Sequence, residues 1–470
     1  MIINRVKFIM RKVLFVNAVD PVAEVENRYL PLWPAYLAAY AEKHLGPGRI
    51  DFRFMTRRLE NELDVYEPDV VAIGSVSQNF NHALRYAQEC KKRGLAVIVG
   101  GPHISALPQC LSEDMDVGCI GEGEHTFLEL MQLFLDRCEF RADGLNKING
   151  IVYRDGDRLV RTSTRRLIDK LDQIPHPNRS LVGYQRHGYM FTSRGCPYRC
   201  TFCASSRFWN RVRFASANYV VDEILELVSN GCKMISFYDD LFVTNKERVK
   251  KIADLLADRG LLGKVKFTCS CRVNVVTKEL VELLKRLNVV SVGMGLESGS
   301  DRILACLKGN VTVEDNERAV NLFKEAGIQV NASFVIGSPD ETEDEIIDTY
   351  KFIKRSRLDF VDTYVLTPFP GTPVWDFAVE RGLVSENMDW RHLNVNFEHS
   401  GNRSVIVSQK LSRNDIKRLY RKFRRQRIYR ILKALPGSPW LQDVPKAVRG
   451  MIFEKVSKLS QKFLFLQFLE

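Results

Sequence analysis

Twice along this 470-residue chain, short β-branched apolar runs alternate with helix-length patterns, and this alternation restricts the fold more than any other feature. Strands buried on both faces of a parallel sheet read as continuous apolar runs, and parallel neighbours need a crossover long enough for a helix. In the first stretch, residues 12–130, Val13-Leu14-Phe15-Val16, Val70-Val71-Ala72-Ile73 and Ala96-Val97-Ile98-Val99 read as such strands. They run into the loops Asn17-Ala18-Val19-Asp20, Gly74-Ser75-Val76-Ser77-Gln78 and Gly100-Gly101-Pro102-His103, and Cys119-Ile120 runs into Gly121-Glu122-Gly123-Glu124. Ligands of an open α/β sheet bind beyond the carboxyl ends of its strands, so Ser75, Ser77, Gly100, Gly101, Gly121 and Glu122 are candidate binding positions. The plainer alternative is that the glycines only make tight strand-to-helix turns.

The second alternation starts at Tyr189, with strands expected near 189–194, 234–238, 265–269, 289–296, 328–336 and 360–366, and six such units suggest an incomplete β/α barrel. Between the two stretches, Ile151-Val152-Tyr153 and Leu159-Val160 flank Asp155-Gly156-Asp157, a hairpin turn signal, before Pro175 and Pro177 break regular structure. The expected division is a Rossmann-like parallel sheet over 1–145, a linker with a small hairpin over 146–185, a partial (β/α)6 barrel over 186–400 and a helical extension over 401–470. Apolar residues at 45% let each part bury a core without disulfides. Eleven scattered cysteines, no signal peptide and no apolar stretch of bilayer length point to a reducing cytoplasm.

Three of those cysteines stand together. Cys196, Cys200 and Cys203 lie within eight residues, directly after the first strand of the second alternation, where barrel active sites collect. Soft thiolates at this spacing select iron–sulfur clusters or zinc. A structural zinc site wants four closed ligands, and no Cys or His follows in the next two dozen residues, so a cluster with one open iron is the better account and structural zinc the alternative. Cys232, Cys269, Cys271 and Cys306 lack any three-ligand spacing and read as small buried apolar residues.

The Cys-x3-Cys-x2-Cys pattern, with Phe202 before its last cysteine, resembles the defining motif of the radical S-adenosylmethionine (SAM) enzymes. Ser236-Phe237-Tyr238-Asp239-Asp240, Cys271-Arg272-Val273-Asn274, Gly293 to Ser300 and Ile336 to Thr342 resemble later strand ends of the same family. The resemblance implies a [4Fe-4S] cluster on the three cysteines, reductive cleavage of SAM to begin radical chemistry, and a reducing partner such as flavodoxin or ferredoxin. It also implies that Phe202 presents its backbone to the adenine, that Asp239, Arg272 and Glu297 stand where polar side chains hold SAM, and that Gly337 lets the backbone approach it. The structural alternatives are a helix cap for Asp239 or Asp240, an interior ion pair for Arg272, a solvated loop acid for Glu297 and a simple turn at Gly337. No catalytic residue is named by these motifs.

The first stretch, with Pro31 to Tyr40, Val99 to His103 and Gly121 to Glu124, resembles the cobalamin-binding domain that precedes the barrel in one large class of these enzymes. The Asp-x-His-x-x-Gly motif that supplies an axial histidine elsewhere is absent, so a bound corrinoid would have no protein histidine on cobalt. Methyl transfer, cyclisation or rearrangement of a small or lipid-like metabolite is then the implied chemistry. A methylthiotransferase would carry cysteines for a second cluster, for which Cys90, Cys110 and Cys119 have the wrong setting, and a non-catalytic corrinoid or iron–sulfur carrier would keep the fold without turnover.

Most of the net charge of +12 is local: eleven Lys or Arg against the single acid Asp415 lie between Lys410 and Lys433. Ser412 and Asp415 resemble a capping box, and Ile416, Leu419, Tyr420, Phe423, Ile428, Ile431 and Leu435 recur at helical spacing up to Pro436-Gly437. The two readings are a helix packed on the body and a basic surface in 410–470 for a membrane or an acidic partner, with the apolar tail Phe463 to Leu469 docked beside it. Nucleic acid is not favoured, because the stretch lacks a recognition fold.

Overall fold

The computed structural model describes residues 10–19, 30–395, 397 and 403–434. The chain forms two compact units, one of residues 1–240, 254–259 and 367–405, the other of residues 241–253, 260–366 and 406–470.

In the first unit, β1 (Arg11–Ala18), β2 (Ile50–Phe54), β3 (Val70–Ser75), β4 (Ala96–Gly100), β5 (Val117–Cys119), β6 (Ile151–Asp155) and β7 (Arg158–Arg161) make one sheet in the order β2-β1-β3-β4-β5-β6-β7. The first five are parallel and the last two antiparallel. Val13, Leu14, Phe15 and Val16 are fully buried, as an apolar run covered on both faces requires. On one face Phe15, Ile98 and Val117 pack with Phe127, Leu130 and Met131 of the helix Glu124–Arg137. Strand order reverses between β1 and β3, which opens a crevice at their carboxyl ends. The hairpin turn is where its residues predict: Asp155 pairs with Arg158 across Gly156-Asp157, and Gly156 takes φ +59°. Tyr153 pairs with Val117, so the hairpin widens the sheet instead of standing apart from it.

The same unit carries β8 (His187–Met190), β9 (Ser193–Arg194), β10 (Arg213–Phe214) and β11 (Met234–Phe237). β8 and β11 pair in parallel around the helix Ala217–Ser229, whose first turn is capped by Ser216. β9 and β10 form a short antiparallel ribbon.

The second unit holds β12 (Lys266–Cys271), β13 (Val289–Glu297), β14 (Gln329–Ile336) and β15 (Phe360–Val365), paired in parallel in chain order. The helices between them are capped by Thr277, Ser300, Thr312 and Thr342, those at Thr312 and Thr342 with full capping boxes. Five of the six strands of the second alternation thus fall where the apolar runs place them; the first, expected near 189–194, is His187–Met190, and Ser193–Arg194 turns off into the antiparallel ribbon with β10.

The basic helix, Arg413–Ala434, follows the expected cap: Ser412 donates from its hydroxyl to Asp415 at 2.6 Å. Ile416, Leu419 and Phe423 are buried. Arg430 donates to the carbonyl of Ile353 in the last turn of the helix Glu343–Arg355 and to those of Ser356 and Leu358 just past it, while Arg418 pairs with Glu343 at 2.6 Å and Arg427 with Asp362 at 2.9 Å. At least these three cations therefore serve the unit itself. Leu435 and the tail 463–469 lie outside the described residues, and among the described ones no helix is long and apolar enough to cross a membrane.

Candidate cluster and cofactor site

The segment between β8 and the first cysteine is held residue by residue by carboxylates. Asp239, at the end of β11, accepts from the Thr192 amide at 2.6 Å, the Thr192 hydroxyl at 2.5 Å and the Ser193 hydroxyl at 2.6 Å. Arg194 donates to Glu122 at 2.7 Å and Glu124 at 2.5 Å. The Gly195 amide donates to Asp240 at 3.2 Å. Gly195 sits at φ +97°, and a Cβ there would strike the Arg211 carbonyl, so only glycine fits the turn into Cys196.

Cys196, Cys200 and Cys203 follow on a loop, all half-buried and none in a disulfide, with Phe202 half-buried in the turn between the last two. Burial pushes the Cys196 and Cys203 thiols up, and Asp240 and the neighbouring thiols add to it. Backbone amides pull the other way, Tyr198 on Cys196 and Ser205 and Ser206 on Cys203. Amides aimed at sulfur are the groups that tune an iron–sulfur cluster, and iron binding deprotonates a thiol outright. Three soft thiol donors on one loop, with backbone amides aimed at two of them, are the donor chemistry that an iron–sulfur cluster takes.

Arg272, Glu297 and Gly337 lie in the second unit, each at the carboxyl end of one of three neighbouring parallel strands, β12, β13 and β14. Arg272 is buried and donates to the Lys308 carbonyl at 3.0 Å. Glu297 is buried, takes φ +65° at a bulge in β13, and folds back over Gly295, where any side chain would collide with its carboxylate. Burial raises its pKa against the pull of Lys308, 3.8 Å away, and of Arg272. A solvated loop acid it is not. Gly337 takes φ +85°, and its amide donates to Glu341 at 2.6 Å, which closes the turn Gly337-Ser338-Pro339.

At the crevice of the first sheet, the Trp33 indole covers Gly74, where a Cβ would lie 2.6 Å from the ring, and donates to Asn17 at 3.3 Å. Gly101 takes φ +106° against the Ser75 carbonyl. The Ser75 hydroxyl donates to the Val76 carbonyl, and the Ser77 hydroxyl lies 3.1 Å from His103 Nδ1. Gly100 is half-buried, and Gly121, at φ +83°, has open space where a side chain would project. Backbone and small residues line the strand ends on both sides of β3, a surface to which a broad flat cofactor can come close.

Comparison with known proteins decides the family. The radical SAM superfamily profile matches residues 190–353 and the B12 binding domain profile residues 19–131. An uncharacterized methyltransferase of Pyrococcus horikoshii is 32% identical over 69% of this chain and 72% of its own length. The chain belongs to the radical SAM enzymes. The anaerobic magnesium-protoporphyrin IX monomethyl ester cyclase of Cereibacter sphaeroides is 27% identical over 75% of this chain, which spans 61% of that protein. Among solved structures, the radical SAM methyltransferase TsrM from Kitasatospora setae, with cobalamin and a [4Fe-4S] cluster bound, superposes with a TM-score of 0.73 at 18% identity, over 96% of this chain and all of that one, and so shares the fold.

This radical SAM enzyme carries the expected α/β architecture, with its B12-binding domain ahead of the radical SAM domain. As a member of the superfamily it uses a [4Fe-4S] cluster and SAM, and its B12-binding domain supports cobalamin as a further cofactor. Several residues that shape the site carry no sequence signal of their own. Arg213, buried, and Arg194, half-buried, pair across the β9–β10 ribbon, Trp209 lies 5.5 Å from each guanidinium, and Lys308 faces Glu297. A two-residue strand has no periodicity to detect, and charged residues are read as exposed by default.

Proposed function

We propose that this enzyme transfers a methyl group to, or closes a ring on, a small substrate, with cobalamin in the first sheet's crevice and the cluster on Cys196, Cys200 and Cys203. One observation carries the reading: Glu122 and Glu124, beside the crevice, bind Arg194, two residues ahead of the first cluster thiol, so one packed body serves both cofactors. The named functions of the relatives, a methyltransferase and a tetrapyrrole-ester cyclase, support a small-molecule substrate for this chain as well. When bound, the cluster supplies the electron that cleaves SAM and the corrinoid supplies a methyl-carrying cobalt.

The chain's own residues bind, orient and exclude water. Phe202 offers its backbone to the adenine of SAM, Arg272 and Glu297 bracket its amino-acid end, and Gly337 lets the strand end approach. Asp239 serves by fixing Thr192 and Ser193. Ser75, Ser77, Gly100, Gly101 and Gly121 form the corrinoid floor, and Glu122 braces it from below. A small low-potential protein of the flavodoxin or ferredoxin kind supplies the electron. The basic helix is chiefly a brace of the second unit, and an anionic membrane surface is a secondary role for its outer face.

Anaerobic reconstitution with iron, sulfide and hydroxocobalamin tests this. The wild type is expected to hold both chromophores and release 5′-deoxyadenosine or S-adenosylhomocysteine from SAM, and Cys200→Ala to keep the corrinoid and lose the cluster and the cleavage. A chain that takes up one zinc and no sulfide refutes the proposal.

A further inference from the structure

The loop after β5 contributes two acids to a buried ionic lattice beneath the cluster loop. Glu122, its side chain 4% exposed, accepts from Arg194 at 2.7 Å, from Arg213 at 2.8 Å on each carboxylate oxygen and from the Ile168 amide at 2.8 Å. Both its oxygens are committed inside the protein. Glu124 takes the other fork of the Arg194 guanidinium at 2.5 Å. Burial alone would raise the Glu124 carboxyl, yet Arg194 and Arg213 hold it below its usual range. Arg213 also donates to the Ile168 carbonyl at 2.6 Å.

The geometry explains why the acids are needed. Arg194 and Arg213 are paired residues of the β9–β10 ribbon, so their side chains share one face, and like charges directly opposite destabilise a strand pair. Glu122 lies between the two guanidiniums and turns repulsion into a bridge. The Trp209 ring, 5.5 Å from each cation, and the Tyr36 ring, 5.8 Å from Arg194, close the lattice. Arg194 lies two residues, at most about 7 Å of chain, from Cys196, and Gly195 between them is itself held by Asp240 and packed against the Arg211 carbonyl.

We propose that Glu122 and Glu124 are positioning residues for the iron–sulfur loop: acting through Arg194, the loop after β5 sets the place and surroundings of the cluster thiols. This rests on the reading that Cys196, Cys200 and Cys203 hold the cluster. Glu122 in this role meets the cofactors only through what it holds.

The test uses full-length protein, reconstituted anaerobically with iron and sulfide, in four forms: wild type, Glu122→Gln, Glu124→Gln and Asp116→Asn. The last breaks the Lys91–Asp116 pair at 2.7 Å elsewhere in the same sheet and controls for general loss of stability. Readouts are bound iron and sulfide, the electron paramagnetic resonance spectrum of the reduced cluster and the rate of iron loss to a chelator. Glu122→Gln is expected to give an altered, broadened spectrum and to lose iron about tenfold faster, the usual scale for loss of a group that orients a metal ligand. Glu124→Gln, which leaves the bridge intact, changes both in the same direction but less, and it carries the test if Glu122→Gln does not fold. Asp116→Asn keeps the wild-type spectrum and iron retention even where its melting temperature drops. A wild-type spectrum and rate in both glutamate variants, or matching changes in Asp116→Asn, overturns the positioning role alone. A wild type that takes up no iron and sulfide overturns the cluster reading together with it.

Discussion

Acidification should destabilise the first unit through one histidine. His103, on the short helix Pro102–Ala106, is fully buried, with its ring centroid 3.8 Å from that of Phe80 and 4.4 Å from that of Trp390. Nδ1 lies 3.1 Å from the Ser77 hydroxyl, and Nε2 has no hydrogen-bond partner among the described residues. Burial pushes its pKa down to about 3. In the unfolded chain the same group titrates near about 6.5. Above that value both states are neutral and stability is at its full level. As pH falls below it the unfolded state binds a proton that the folded state refuses, and stability drops by about 1.4 kcal/mol per unit until the folded pKa is reached. At about pH 5 the loss is about 2 kcal/mol, a figure that holds for any folded pKa below about 4. Urea melts followed by tryptophan fluorescence, at about pH 7.5 and about pH 5, compare wild type with His103→Leu. The leucine forfeits the Ser77 contact at both pH values alike, so the difference between the two pH losses isolates the imidazole. Wild type should lose about 2 kcal/mol more than the variant over this range. Equal losses would refute the claim that the folded site excludes the proton.

Glu341 should act with the opposite slope: burial, with Glu345 adding to it, raises it to about 7 against the Ser338 and Gly337 amides and Arg302, so wild-type stability falls as pH rises from the unfolded pKa of about 4.3 to about 7, and Glu341→Gln should flatten that limb of a melting-temperature profile. Gly101→Ala places a Cβ 2.5 Å from the Ser75 carbonyl at φ +106° and should cost about 2–4 kcal/mol in denaturant melts, whereas Gly121→Ala, at φ +83° with open space, should cost only about 1–2 kcal/mol. Arg430→Met leaves three carbonyls without their donor and should cost about 2–4 kcal/mol, read as faster proteolysis within the basic helix. Glu297→Gln should weaken SAM binding about tenfold by calorimetry while the reduced-cluster spectrum without SAM stays unchanged, and a change in the SAM-free spectrum would reassign Glu297 to structure.

The central strands were legible because burial on both faces forces a continuous apolar run, so β1, β3, β4 and the last five strands of the second alternation appear where their runs place them, whereas the half-buried edge strand β2 (Ile50–Phe54) carries no such run and was not read. Turns with a chemical requirement were equally readable, Gly156 in the hairpin and Ser412 with Asp415 at the basic helix. What pairs at long range was not. Nothing local in Val117 or Tyr153 says that the hairpin joins the sheet, and nothing in Arg194 or Arg213 says that both turn inward to ion pairs, since each depends on acids some 70 to 91 residues away. Glu297 was legible as a strand-end acid, but not its left-handed backbone, a conformation for which a glutamate carries no signal.

The acids at the strand ends divide by how much acceptor capacity they have left. Asp239 receives three donors from Thr192 and Ser193, and Glu122 receives two arginines and an amide, so the carboxylates of both are spent on fixing the chain around them. Glu297 is different: its nearest cation is 3.8 Å away, beyond hydrogen-bond range, and burial already biases it toward the proton. A buried carboxyl held by charge alone gains most from a new donor, and the ammonium of an amino-acid cofactor is such a donor. Asp239 and Glu122 are therefore spent on the segment that leads into the cysteines, and Glu297 is the strand-end acid with acceptor capacity left, which is why the proposed SAM contact is assigned to it.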